Sequence, residues 1–389
     1  MRIALLSWEA LHGMRVGGIA VHVSELAEAL HRRGLDVHVF TRSAHPQQCS
    51  YALVEGVHYH RCTVPQSTDL LAQTAAMSGA FCHALDVAEA RWGRFDVVHG
   101  HDWLAVAALL EMAESRSIAT VFTCHSTEFG RCGNSYENGY SASKARWEQL
   151  GSQAADAVIA VSRSLRDEMS RLYRLPEDSI DVIYNGVSFW RYGRPADEAA
   201  VKARYGMAAH EPMVLFVGRL VYQKGPDLLL AALPDVLNAF PEVKFVFVGS
   251  GDLAASVAAE AQRRGIGHAT RFPGNVDHRQ LEDLYGACDC VCVPSRNEPF
   301  GIVLLEAWSA GKPVVASANG GPAEIVWPEV NGLVVPPLPD EIAQALKAVL
   351  ADPSWRRWLG RNGRTTAETV FSWDRVGDRV LQVYDEILA

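Results

Sequence analysis

Short apolar runs recur along this chain with helix-length stretches between them, and that rhythm constrains the fold more than any other feature. IALLS near position 3, DVHVF at 36, DVVHG at 96, IATVFTC at 118 and DAVIAV at 156 form a first series. A second starts at MVLFVG (213) and continues through VKFVFVG (243), CDCVCVP (288) and KPVVAS (312), each closed by Gly, Pro or Ser. Continuous apolar runs of strand length suit strands covered on both faces, and their alternation with helical stretches predicts parallel βαβ units. A chain of 389 residues exceeds one ordinary core, so the expected fold is α/β, with two Rossmann-like domains facing a central cleft. Aromatic, Gly and Pro residues from Tyr184 to Ala200 interrupt both periodicities and place a linker at about 186–197. The domains are accordingly expected at 1–188 and 189–370. Residues 371–389 are expected to form a final helix packed back on the N-terminal domain, capped by Ser372 and striped by Val376, Val380, Val383, Tyr384 and Ile387.

Charge narrows the partners. The 36 Lys and Arg against 45 Asp and Glu leave a formal charge of -9, a field that opposes broad contact with nucleic acid or anionic lipid. No stretch approaches the ~20 uncharged apolar residues of a membrane span, and MRIALLS reads as a buried first strand rather than a signal peptide. A cytoplasmic protein without an integral membrane segment is expected. Cys288, Cys290 and Cys292 alternate along one strand face without a Cys-x2-Cys pair, which predicts packing rather than metal binding. His99 and His101 share a face at a strand end. The metallo-hydrolase pattern would need a further His where Leu104 stands, so neither metal nor cofactor is expected.

Open parallel sheets take ligands beyond the carboxyl ends of their strands, so chemistry is sought in the strand-to-helix loops. In PSRNEPFGIVLLEAWSAGKPVVAS, Glu298 precedes and Glu306 lies within a helix expected to open near Phe300. Such a start aims the N–H groups of Phe300, Gly301, Ile302 and Val303 at a diphosphate or a sugar hydroxyl. Glu306, about a turn and a half deeper, offers a charged bidentate acceptor to two vicinal hydroxyls. VLFVGRLVYQKGPDLLLAALP sets Arg219 and Lys224 in a loop before an apolar helix, where their charges can converge on one anion. A unit-charge contact at ~4 Å is worth about 4 kcal/mol at an effective dielectric near 20, before desolvation. Gly249 in FVGSGD, and Val276 in PGNVDHRQ, are weaker candidates for contact with a donor. Near the amino terminus Gly17 and Gly18 precede an amphipathic helix and suit a distal phosphate.

The Glu-x7-Glu of EPFGIVLLE resembles the retaining glycosyltransferases of the GT-B fold, particularly family 4 and the related glycogen and starch synthases. The resemblance implies that Glu306 holds the donor ribose and Glu298 contacts the transferred hexose. Arg-Leu-x-x-Gln-Lys-Gly is similar to the glycogen-synthase loop whose Arg and Lys bind the donor phosphates, here Arg219 and Lys224. Ser-x-Glu followed by Val16, Gly17 and Gly18 resembles the opening of the same enzymes and brings in Glu9 on the acceptor side. HDW resembles the motif at their sugar cleft, which implies acceptor contacts for His101 and Asp102 and ring stacking on Trp103. In TVFTCHSTEFGRCGN the resemblance places His125 beside the hexose, with Glu128 and Arg131 bordering the acceptor. Ser126 after that His, with the charged Glu128 and Arg131, departs from the His-Asn typical of glycogen synthases and puts a glucan acceptor in doubt.

The expected activity is retaining, metal-independent transfer of a hexosyl group, glucosyl by resemblance, from a UDP-, ADP- or GDP-hexose to a sugar or glycan hydroxyl. No Asp-x-Asp triplet is present to chelate a metal. A glycoside hydrolase using Glu298 and Glu306 would give Arg219 and Lys224 no task. A non-hydrolysing sugar-nucleotide epimerase would consume no acceptor. A non-catalytic nucleotide-sugar-binding protein would never turn the donor over.

Overall fold

The computed structural model describes all of the chain except Arg15, Val16, Gln66, Glu137, Asn138 and Pro195. The Val16 of the glycine loop and the Pro195 of the linker thus lie outside the described residues. Two compact units result, the first made of Met1–Phe129, Ser135–Gly186 and Trp373–Ala389, the second of Gly130–Asn134 and Val187–Ser372.

The first unit carries β1 (Arg2–Leu6), β2 (Asp36–Arg42), β3 (Tyr51–Val54), β4 (Val57–Cys62), β5 (Val97–His101), β6 (Ala119–Cys124), β7 (Ala157–Ala160) and β8 (Ile180–Val182). They line up as β3-β4-β2-β1-β5-β6-β7-β8, and only the β3–β4 pair is antiparallel. The second carries β9 (Met213–Val217), β10 (Lys244–Val248), β11 (Thr270–Gly274), β12 (Cys290–Val293), β13 (Val314–Ser317) and β14 (Gly332–Val335), in the order β11-β10-β9-β12-β13-β14 and parallel throughout.

Every apolar run singled out in the sequence forms a strand. The strands it did not reveal are β3, β4, β8, β11 and β14, and all but β4 are sheet edges. An edge strand is not sandwiched between neighbours and needs no continuous apolar run, so TRFPG and YALV carry no such signal. β4, VHYHRC, hides its pattern because histidines break the apolar run, His60 buried and His58 half-buried.

Packing explains the closing helix, Trp373–Leu388. Its Val376, Val380, Val383 and Tyr384 enter the core cluster of the first unit together with Leu26 and Leu30 of the helix Gly18–Arg32. At the rim of this contact Arg32 pairs with Asp374 at 3.0 Å and Arg33 with Asp378 at 2.5 Å. Cys290 and Cys292 point into the core of the second unit, and burial pushes their thiols well up, so they are packing residues. Among the described residues no helix is long and apolar enough to cross a membrane.

Both sheets reverse their strand order. In the first, the chain runs outward from β1 through β2 and β4, then returns to the other side of β1 at β5. In the second, it runs from β9 through β10 to β11, then returns at β12. Where the order reverses, neighbouring loops leave in opposite directions and open a crevice at the strand ends. The crevice residues are Ser7–Glu9 and His101–Asp102 in one unit, and Gly218–Lys224 and Ser295–Glu298 in the other.

Candidate active site

At the β9/β12 reversal the backbone brings a lysine against a glutamate. Lys224, at the end of the turn Tyr222–Lys224, holds both carboxylate oxygens of Glu298 at 2.8 Å. Ser295 Oγ donates to Oε2 of the same carboxylate at 2.8 Å. The backbone of Glu298 is pinned too, because its N–H donates to Asn319 and its carbonyl accepts from Gly321 at 2.8 Å. Gly320 must be glycine here: its φ is +93°, and a Cβ would stand 2.1 Å from the Glu298 carbonyl oxygen. Arg296 grips Asp227 with two hydrogen bonds, at 2.8 and 2.6 Å, and lies over the Tyr222 ring, which fixes the loop between Ser295 and Glu298. Arg219 reaches Gln223 Oε1 at 3.2 Å, so Gln223 orients an otherwise exposed guanidinium.

The helix Ile302–Ser309 follows, with Gly301 as its N-cap. It opens two residues later than expected, so the first-turn amides belong to Ile302, Val303 and Leu304, while Phe300 and Gly301 precede the helix. Glu306 is buried in this helix and accepts from Tyr192 at 2.8 Å and Tyr285 at 2.6 Å, one hydroxyl on each carboxylate oxygen. Burial pushes its pKa up, against the opposing effect of those two hydroxyls. Val276 lies half-buried one residue before Asp277, the cap of the helix His278–Ala287.

The β1/β5 reversal is built from imidazoles instead. His101 Nδ1 lies 3.2 Å from His125 Nε2, and His22 Nδ1 lies 2.7 Å from Asn185 Oδ1. His99 stacks on His101 and bonds the Tyr384 hydroxyl and Thr123, each at 2.7 Å. Asp102 accepts from the His125 backbone N–H at 2.7 Å and so sets the start of the β6 loop. Burial pushes all four rings down, His99 and His125 to about 3, with neighbouring histidines adding to the effect. They are neutral at physiological pH.

Residues 16–191 match the family described as Glycosyltransferase Family 4, and residues 197–366 match Glycosyl transferases group 1. An uncharacterized glycosyltransferase of Methanocaldococcus jannaschii is 35% identical over 388 residues, 99% of this chain and 98% of that protein. The chain belongs to glycosyltransferase family 4. It is 33% identical to the glycogen synthase of Mycobacterium tuberculosis over 99% of this chain and 94% of that one. Among solved structures, the sucrose-phosphate synthase of Thermosynechococcus elongatus superposes with a TM-score of 0.83 at 28% identity, covering 99% and 98% of the two chains. HepE of Anabaena, solved in complex with UDP-glucose, superposes with a TM-score of 0.79 at 21% identity, covering 99% and 100%. The α/β class and the GT-B fold expected from the motifs are those of this family.

Within this glycosyltransferase the structure gathers Arg219, Lys224 and Glu298 at one strand-order reversal, with Glu306 on the helix that follows. Several other candidate residues are buried or bonded within the fold. Trp103 is only 4% exposed and packs in the core. Glu128 is buried, pairs with Lys144 at 2.8 Å and donates its N–H to Glu148. His101 is buried among other imidazoles. Glu9, also buried, accepts from the Gly17 N–H at 2.6 Å and ties the first loop to the helix beginning at Gly18. The Gly249 amide donates to Gly274, and its missing side chain makes room for the Gly218 carbonyl, 2.0 Å from where a Cβ would stand. The glycine is therefore explained by two turns in contact. Arg131 closes the short helix Glu128–Arg131.

Sequence reasoning missed His22, Asn185, Tyr192, Gln223, Tyr285 and Ser295. His22 left a signal, since it sits four residues before Leu26 and eight before Leu30, on the buried face of an apolar helix. Tyr192 and Asn185 left none, because they meet their partners 114 and 163 residues away in sequence.

Proposed function

We propose that this glycosyltransferase moves a hexosyl group, glucosyl in the first instance, from a nucleoside diphosphate sugar to a carbohydrate hydroxyl with retention at the anomeric carbon. The observation that carries the reading is the Lys224–Glu298–Ser295 cluster beside Arg219 at the β9/β12 reversal. Lys224 has three donors and Glu298 about four acceptor positions. Their mutual bonds and Ser295 leave capacity on each for a ligand that touches both a sugar hydroxyl and a phosphate. A nucleoside diphosphate hexose has that arrangement. The pair holds the lysine in place before the ligand arrives, so little reorganisation is needed as charge builds on the leaving diphosphate.

Arg219 and the amides of Ile302 and Val303 take the remaining phosphate charge, and no divalent metal is needed for departure. Glu306 keeps one lone pair on each oxygen for the two ribose hydroxyls. Tyr192 and Tyr285 hold it at the required angle. His125 is neutral and donates to or accepts from a hexose hydroxyl, with Gly17 and Gly18 approaching the distal phosphate. The acceptor hydroxyl attacks from the side the diphosphate leaves, and a phosphate oxygen takes its proton. Support for the donor class comes from the UDP-glucose complex of HepE, and support for carbohydrate acceptors from the glycogen and sucrose-phosphate synthases named above.

Incubation with UDP-, ADP- and GDP-glucose and a panel of sugar acceptors, followed by NMR of the product anomer, tests the proposal. An α-linked product and a free nucleoside diphosphate are expected. A β-linked product, an epimerised donor with no acceptor consumed, or hydrolysis of oligosaccharides without any nucleotide would each overturn it.

A further inference from the structure

The imidazoles of His22, His101 and His125 have a geometry that glycosyl transfer does not use in full. One ring nitrogen from each lies within 4.8 Å of the others. Ring centroids are 4.4 Å apart for His22 and His125, 5.3 Å for His22 and His101, and 5.4 Å for His101 and His125. The three come from separate pieces of the first unit: the second turn of the helix Gly18–Arg32, the end of β5, and the loop after β6. The β1/β5 strand-order reversal brings these pieces to one point.

Two further observations point to a ligand. His101 is 1% exposed, yet its Nε2 is buried without a hydrogen-bond partner among the described residues. A buried polar atom of this kind calls for an explanation. His22 commits Nδ1 to the Asn185 side-chain carbonyl at 2.7 Å. That bond fixes the tautomer with the proton on Nδ1 and the lone pair on Nε2, the arrangement found where a second residue orients a metal-ligating histidine. Burial keeps the rings neutral, so the lone pairs are available at physiological pH.

We infer that His22, His101 and His125 form a three-nitrogen site for a divalent cation of the imidazole-preferring class, represented by Zn2+ or Co2+. Tetrahedral coordination with metal–nitrogen bonds of about 2.0–2.1 Å places ligand nitrogens about 3.3 Å apart. The three nitrogens, now within 4.8 Å of one another, would draw together to that spacing on binding. A hard, oxygen-seeking cation such as Mg2+ is not expected here, because the cluster offers nitrogen alone. The fourth position falls to water. The site is distinct from the proposed handling of the diphosphate, and the cation would tie the helix beginning at Gly18 to the ends of β5 and β6.

The competing cluster, Asp36, His38 and His58, serves as the internal control: it also gathers three ligand atoms within 4.8 Å, but Arg2 already bonds the Asp36 carboxylate at 2.7 Å. Full-length protein stripped with a chelator is titrated with Co2+ while the visible d–d absorption is recorded. One equivalent with the intense bands of tetrahedral coordination is expected, displaced by Zn2+, abolished in His22→Ala and retained in His58→Ala. No absorption at millimolar Co2+ overturns the inference. So does a signal that survives in His22→Ala and disappears in His58→Ala. If His22→Ala fails to fold, anomalous scattering from Zn2+-soaked wild-type crystals decides. A peak bonded to all three rings supports the site, and a peak elsewhere or none overturns it. These readouts need no sugar transfer, so a failure here leaves the proposed activity standing, and the reverse.

Discussion

The two strand-order reversals of this glycosyltransferase arrange their polar groups in opposite ways. The second unit pairs opposite charges or sets hydroxyls on a carboxylate: Lys224 with Glu298, Arg296 with Asp227, and Tyr192 and Tyr285 on Glu306. The first unit packs neutral imidazoles against one another, and burial holds them neutral. A charged pair can hand part of its bonding to an anionic ligand and answers strongly to the loss of one member. A neutral cluster contributes shape, hydrogen bonds and lone pairs, and answers to protonation instead. On the proposed function, the difference gives charge stabilisation to the carboxyl half and positioning to the amino half.

The largest expected break of this contrast is Lys224→Ala. On the proposed function it removes a cation aimed at developing charge, and it leaves Glu298 without its partner, so kcat should fall about 10²–10³-fold. Steady-state kinetics that show only a raised KM would mean that the lysine binds substrate and transition state alike. Next in size, Trp103→Ala empties a buried aromatic site and should cost about 3 kcal/mol of stability, read by denaturant melts, while the acceptor KM of the folded fraction stays unchanged. A raised acceptor KM with full stability would return Trp103 to the sugar.

Acid should sharpen the contrast. Burial, aided by the neighbouring His58, pushes His38 to about 3 and His60 to about 4, while in the unfolded chain both take up protons near 6.5. Between those values the unfolded state binds more protons, so stability is fully present above 6.5 and declines as pH falls toward 3–4. The slope is about 1.4 kcal/mol per pH unit for each histidine. Glu306 has the opposite sign, because its raised pKa lets the folded state bind the extra proton and acid relieves its burial. Hydrogen exchange at pH 5 against pH 7, corrected for intrinsic rates, should therefore loosen β2 and β4 more than β9 and β12. Equal loosening of both sheets would break the comparison. The smallest effect is expected from Ser295→Ala, which removes one of three hydrogen bonds to the Glu298 carboxylate and should cost about 1 kcal/mol in kcat/KM. An effect as large as that of Lys224→Ala would give Ser295 a direct part in the reaction.

The legible parts of the molecule are those whose physics is local in sequence. Sandwiched strands such as β9 and β12 need unbroken apolar runs, and Arg219, Lys224, Glu298 and Glu306 stand in loops and a helix start whose chemistry shows within a few residues. Edge strands escaped because one side of an edge is open. The side chains that orient the site escaped for another reason. Tyr192 and Tyr285 lie in a linker and at a helix end, and only the tertiary fold turns their hydroxyls onto Glu306. Trp103 and Glu128, both buried, show that an aromatic or polar residue in a strand-end loop reads alike in sequence whether it faces a ligand or fills the core.

Calorimetric titration of the wild type and Arg219→Ala with UDP, ADP and GDP tests the central claim most directly. Arg219 is exposed in the free protein, so its replacement should leave folding intact while weakening one of these nucleotides at least 10-fold. Equal affinity in the two proteins, or no binding of any nucleotide by the wild type, would contradict the claim that this crevice holds the donor diphosphate.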